Sequence, residues 1–226
     1  MHARPGKNRT RAGGPPSMMS RKCLLLAVTL AAVVFGIALA ACSSENRLPR
    51  LAGNAVIVAF GDSLTYGTGA DAGESYPAVL EKMTGLRVVN AGVPGEVTGE
   101  GLSRLPGVLD REKPALVLLC HGGNDLLRRL DPQQTARNIQ AMIRLAREEG
   151  AAVVLVAVPS LGLSLSPPPL YREIAKRLSV PLEAKALPAV LSDTSLKSDY
   201  IHPNAAGYRR IAEAVAGLLK RSGAID

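Results

Sequence analysis

What most constrains this chain is a repeated exchange between two kinds of segment. Short β-branched or apolar runs with no polar alternation, "AVIVAF" (55–60), "RVVN" (87–90), "ALVLLC" (115–120) and "AAVVLVAV" (151–158), alternate with longer amphipathic stretches. A strand that is apolar on both sides must be covered on both faces, which is the condition of a parallel sheet. "VPLEA" (180–184) is a weaker fifth run. Between the runs, "SYPAVLEKMT", "VTGEGLSRLPGVLDRE", "DPQQTARNIQAMIRLAREEG" and "PLYREIAKRL" read as helices, and "PNAAGYRRIAEAVAGLLKR" reads as a C-terminal one. The third carries its own punctuation, with Asp131 as N-cap, Pro132 at the first helical position and Gly150 as the stop. The alternation predicts an α/β fold, a five-stranded parallel sheet between helical layers.

The first part of the chain differs in character. Residues 1–41 hold six basic residues and no acidic one, so the formal charge of +8 leaves 21 Lys+Arg against 19 Asp+Glu in residues 42–226. The basic balance belongs to the leader, and the folded part gives no reason to expect a nucleic-acid partner. Basic "SRK", the apolar run from Cys23 to Ala41 and a small-residue site have the order of an export signal. "LAAC" is similar to the bacterial lipoprotein signal, in which the cysteine, here Cys42, becomes the lipidated first residue. An uncleaved transmembrane anchor and plain secretion are the competing readings, and all three export the domain. Residues 42–54, polar with Pro and Gly, read as a tether, and 55–226 as a single domain. With Cys23 removed and Cys42 lipidated, Cys120 is the remaining thiol and no intramolecular disulfide is expected.

In an open parallel sheet, ligands bind beyond the carboxyl ends of the strands. Three polar clusters follow the predicted strands, "GDSLTYG", "NAGVPGEVT" and "HGGND", and a fourth, "SDYIHPN", precedes the last helix. Ser63 in the first needs a base to become a nucleophile. His202, followed by Pro203 and so biased toward a turn, could supply it. Asp199, three residues earlier, could hold the imidazole in the tautomer that takes the serine proton. Charge developing on an attacked carbonyl needs donors, and the N–H groups of Ser63 and Gly95 and the side-chain amide of Asn124 are available. Taken singly, each cluster also has a plain structural reading: "GDS" as a turn or helix cap, "NAGVPG" as a loop, "GGND" as a capped turn, "HPN" as a helix start.

Together, "FGDSLTYG", "NAGVPGEVT", "GGND" and "DYIHPN" resemble the four blocks of the GDSL or SGNH esterases and lipases, over residues 56–215. "YPAVLEKM", "GLSRLP" and "PQQTARNIQAMI" are similar to the bacterial arylesterase, thioesterase and lysophospholipase branch. The resemblance implies a three-layer α/β/α sandwich of flavodoxin-like type. It also implies catalytic Ser63, Asp199 and His202, with an oxyanion hole of Ser63, Gly95 and Asn124. It departs at Cys120 and His121, where relatives carry acidic or apolar residues, and at "GEVT" in place of "GDT". His121 either lines the pocket and alters substrate choice, or is a partly buried hydrogen-bonded histidine; Cys120 reads as a buried small hydrophobe.

No Walker loop, G-x-G-x-x-G, G-x-S-x-G, H-E-x-x-H or C-x-x-C occurs, so neither a cofactor nor a metal is expected. The expected activity is hydrolysis of acyl esters, small-molecule or lipid, through an acyl-Ser63 intermediate, with thioesters and lysophospholipids as further candidates. A carbohydrate O-acetylesterase of the cell envelope and a non-catalytic envelope binding protein are the alternatives. "PSLGLSLSPPPL" should overhang the site, where Leu161, Leu163, Leu165 and Leu170 could line an acyl groove or pack beneath the loop. The expected location is the bacterial envelope, facing the periplasm or the exterior, with Cys42 as the lipid anchor.

Overall fold

Apolar strands that cannot face water dictate the architecture. The computed structural model describes residue 2, residues 47–160, residue 162 and residues 165–226. Apart from residue 2 the leader lies outside these described residues, as do Cys42, Leu161 and Leu163. Five strands, β1 (Val56–Gly61), β2 (Arg87–Gly92), β3 (Leu116–Cys120), β4 (Ala152–Val156) and β5 (Leu182–Glu183), form one parallel sheet in the order β2-β1-β3-β4-β5. Every residue of β3 is buried, as is β1 beyond Val56. β2 is the exception to the buried-strand reading: it is an edge strand with Arg87 and Val89 not buried, and its Val88 N–H donates to the Glu81 carboxylate at 2.8 Å.

Eight α-helices are present among the described residues. They are α1 (Ser63–Tyr66), α2 (Tyr76–Thr84), α3 (Thr98–Glu112), α4 (Gly123–Leu127), α5 (Pro132–Glu148), α6 (Pro169–Leu178), α7 (Ala186–Ser192) and α8 (Ala205–Arg221). The long ones follow the expected periodicity. Two groups of packed helices result, α3 with α5 and α5 with α6 on one side, and α2 and α7 with α8 on the other. This is the expected three-layer α/β/α sandwich. The Asp131 cap of α5 is made as expected, Oδ1 accepting from Gln133 N at 2.9 Å and Oδ2 from Gln134 N at 3.2 Å. The helix ends at Glu148, and Gly150, at φ 82°, forms the turn beyond it. The short helices α1, α4 and α7 have too few turns to show a period and were not legible in the sequence.

Residues 48–52, expected as tether, belong to the folded body. Leu48 N and Leu51 N donate to the carbonyls of Ser222 and Ala224, each at 2.9 Å, and both leucines pack against the core.

The carboxyl ends of β1 and β3 lie side by side, Gly61 paired with Cys120. A Cβ on Gly61 would stand 2.1 Å from the Cys120 carbonyl oxygen and 2.4 Å from Thr65 Oγ1, so only glycine allows this approach. Gly61→Ala should therefore lower the unfolding free energy by about 1–3 kcal/mol in urea denaturation, as overpacked positions do. An unchanged midpoint would mean that the strand ends are not held this closely.

Candidate active site

Ser63 owes its position to the strand-to-helix turn. Asp62 caps α1, its Oδ1 accepting from Leu64 N at 3.0 Å. Ser63 is thus the first residue of the helix, where an N–H has no intrahelical acceptor. Burial pushes the Asp62 carboxyl up, opposed by the nearby His121 and the Leu64 N–H.

The opposite wall is the turn before α8. The Asp199 carboxylate organises it, Oδ1 accepting from the N–H groups of Ile201 and His202, each at 2.8 Å. Its other oxygen, Oδ2, lies 2.8 Å from His202 Nδ1. Partial burial raises the Asp199 carboxyl, but the hydrogen bonds from the His202 ring and the two N–H groups outweigh it and hold it below the usual carboxylate range. An ionised carboxylate can only accept, so Nδ1 carries the ring proton and the Nε2 lone pair faces outward. Nε2 lies 3.1 Å from Ser63 Oγ. Ser198 N donates to the His202 carbonyl at 3.0 Å, and Lys197 and Pro203 form an antiparallel bridge that closes the turn. Side chains from residues 63, 199 and 202 thereby converge as the spacing in the sequence allowed.

The candidate donors come from two other strand ends. Asn124 lies in the first turn of α4, its Nδ2 3.0 Å from the Glu96 carbonyl and 3.4 Å from Asp62 Oδ2. Gly95 takes φ 80°, and Arg128 Nη2 holds its carbonyl at 2.8 Å. Asn124 lines the cleft together with Ser63 and His202, whereas Gly95 does not line it and precedes Glu96, whose carbonyl receives the Asn124 amide.

The apolar wall of the cleft is made by Leu64, Leu127, Val158, Pro159, Leu191 and Ile201. Of the loop expected to overhang the site, Leu161 and Leu163 lie outside the described residues, Pro159 lines the cleft, Leu170 packs against the core and Leu165 does not line the cleft. His121 is fully buried and does not line it either. Cys120 is buried as expected, and burial pushes its thiol well up, so it behaves as an apolar packing residue.

Three supporting residues were missed. Asp62 lines the cleft beside Ser63 and caps its helix, whereas Glu96 and Arg104 stand outside the lining and fix the segments that form it. Asp62 had a local signal, an acidic residue just before a helix. The Glu96–Arg104 pair, with Nε–Oε1 and Nη2–Oε2 both 2.7 Å, joins a loop to a helix and had none.

A serine faced by an imidazole that a carboxylate orients, beside hydrogen-bond donors and an apolar cleft, defines a hydrolase built for acyl transfer. Residues 59–210 match the profile of the GDSL-like Lipase/Acylhydrolase family. The chain is 34% identical over 198 residues to esterase TesA of Pseudomonas aeruginosa, covering 80% of this chain and 96% of that protein. It is 31% identical over 183 residues to thioesterase 1/protease 1/lysophospholipase L1 of Escherichia coli (strain K12), covering 76% and 86%. Among solved structures it is similar to AlinE4, an SGNH-hydrolase family esterase, at 31% identity and TM-score 0.58, covering 76% of this chain and 97% of that one. The chain belongs to the GDSL-like lipase/acylhydrolase family, and it is a serine esterase, a hydrolase acting on ester bonds. The carbohydrate O-acetylesterase and the non-catalytic binding alternatives are not favoured beside relatives that are named esterases.

The support beneath the site has a pH signature. Burial raises the Glu96 carboxyl, but hydrogen bonds from Arg104 and His121 overcome this and lower it from 4.5 to about 2. The folded state therefore binds this proton less readily than the unfolded chain. Its contribution is complete above about pH 4.5 and is lost as the pH falls toward about 2. Urea midpoints should decline across that window, and Glu96→Gln should flatten the decline. Identical acid profiles for the two proteins would place the sensitivity elsewhere.

Proposed function

We propose that Ser63 is the nucleophile, His202 the general base and acid, and Asp199 its orienter, with the Ser63 and Gly95 N–H groups and the Asn124 amide as the oxyanion hole. The observation that carries this reading is the unbroken line from Asp199 Oδ2 through the His202 ring to Ser63 Oγ, at 2.8 and 3.1 Å. Ser63 Oγ attacks the ester carbonyl carbon as its proton passes to His202 Nε2. The imidazolium that forms is stabilised by Asp199. The carbonyl oxygen gains negative charge and takes the donors' hydrogen bonds. Collapse of the tetrahedral intermediate expels the alcohol, which leaves with the His202 proton and gives acyl-Ser63. Water then enters, loses a proton to His202, attacks the acyl carbon and releases the acid as Ser63 recovers its proton.

The apolar wall of the cleft supports esters with an apolar acyl chain as substrates, since such a surface gains from burying methylene groups at about 0.8 kcal/mol each. Thioesters and lysophospholipids share that acyl chemistry and are proposed as further substrates. The relative named for thioesterase and lysophospholipase activities supports them. No step in this chemistry calls for a metal or cofactor, since the imidazole moves the proton and the donors carry the charge.

We further propose that the enzyme is exported and held at the bacterial envelope by a lipid on Cys42. "LAAC" and the basic, acid-free leader support this. Replacing Cys42 by Ser should release the enzyme from the membrane fraction. An unchanged fraction would favour an uncleaved apolar anchor.

With p-nitrophenyl esters of increasing acyl length, Ser63→Ala and His202→Ala should each abolish turnover, and Asn124→Ala should lower kcat by about 10²–10³. Full turnover by Ser63→Ala would remove the assignment. Equal kcat/KM for acetyl and octanoyl esters would remove the apolar acyl preference.

A further inference from the structure

We propose that His121 and Glu96 are positioning residues that aim the Asn124 amide at the oxyanion, an inference that rests on reading Asn124 as an oxyanion donor. His121 is the first residue after β3 and is fully buried beneath the loops. Both of its ring nitrogens are engaged in a direction. The Gly122 N–H approaches Nδ1 at 3.1 Å, and an amide N–H can only donate, so Nδ1 accepts and the ring proton sits on Nε2. Nε2 lies 3.0 Å from Glu96 Oε2 and donates to it.

The carboxylate is fixed from its other side by Arg104, whose Nε and Nη2 each reach it at 2.7 Å. This fork matches carboxylate geometry and leaves it little freedom. Arg104 is itself held, its Nη2 3.1 Å from the Ala91 carbonyl and its guanidinium 4.2 Å above the Phe60 ring. Glu96 is therefore immobile as a side chain, and its backbone carbonyl is the group that receives Asn124 Nδ2 at 3.0 Å.

Asn124 is thus held twice through His121. One path runs from the ring to the Glu96 carboxylate and on to the carbonyl that orients the amide. The other runs from the ring to the Gly122 N–H, two residues before Asn124, where the chain takes φ 109° to enter α4. The fold makes room for the imidazole: a Cβ on Gly101 would stand 2.4 Å from His121 Nε2. An apolar side chain could fill that space, but it would supply neither direction and would leave Glu96 bound on one side only. Packing alone has no use for both nitrogens.

A donor moved off the oxyanion loses part of what its removal would cost, and the loss falls on the transition state. His121→Leu should therefore lower kcat on p-nitrophenyl butyrate about 10-fold or more, with KM within about twofold of wild type. His121→Gln, which keeps a donor able to reach Glu96, should recover most of the loss. In an Asn124→Ala background, His121→Leu should change kcat by less than about twofold, because the group it aims is gone. A kcat for folded His121→Leu within about twofold of wild type, or a loss of the same size in both backgrounds, would overturn the proposal and leave His121 a packing residue. Wild-type kcat for Asn124→Ala would instead sink the oxyanion reading beneath it. Should His121→Leu not fold, the same cycle with Glu96→Gln, which keeps the shape of the side chain, decides with the same two outcomes.

Discussion

The approach of β1 to β3 governs the rest of this molecule. Their ladder pairs Gly61 with Cys120, so the chain leaving β1 enters α1 at Ser63 beside the chain leaving β3 toward Asn124. This is the point where the strand order reverses, β2 lying on one side of β1 and β3 on the other. Loops diverge there and a cleft opens without cost to the core. The absence of a side chain at Gly61 lets the carbonyl of Cys120 and the hydroxyl of Thr65 close around it. Every other functional group is brought to this point from elsewhere in the chain.

Polar groups beneath the site are satisfied by one another, which makes the arrangement rigid. Asp125 accepts from Thr98 N at 2.9 Å and from Thr135 Oγ1 at 3.2 Å, tying α4 to α3 and α5. Asn138 Nδ2 reaches Thr98 Oγ1 at 3.0 Å and extends the same net. Asn90 joins β2 to α1 through the Tyr66 carbonyl at 3.1 Å. No buried side-chain polar atom lacks a partner among the described residues. Such fully satisfied networks specify a single geometry, whereas a half-satisfied one would cost more than an apolar core. Catalysis by acyl transfer rewards this, because donors that are already in place need not reorganise as charge develops.

Much of this was legible in the sequence, and the limits have physical causes. The buried strands and long helices were visible because burial on two faces and a 3.6-residue period leave a pattern in hydrophobicity. Ser63, Asn124, Asp199 and His202 could be placed at one edge once topology put strand ends together, and the structure brings Ser63, Asp199 and His202 into contact with Asn124 lining the same cleft. The helices of four to seven residues were invisible because their length sets no period. The apolar wall was only partly legible because, among the described residues, it is drawn from five separate segments, Leu64, Leu127, Val158 with Pro159, Leu191 and Ile201, of which Pro159 alone belongs to the leucine-rich loop. His121 was ambiguous because its partner Glu96 is 25 positions away, and only the fold makes them neighbours.

The account turns on one covalent bond, the ester between the substrate acyl group and Ser63 Oγ. Its most direct measurement is mass spectrometry of the purified enzyme quenched in acid during turnover of a p-nitrophenyl ester, with peptide mapping of the acylated residue. The expected result is a single acyl group on the peptide containing Ser63, lost with time as water resolves it. Turnover with the acyl group on another residue, or with no acyl-enzyme at any time under conditions where deacylation is limiting, would contradict the account.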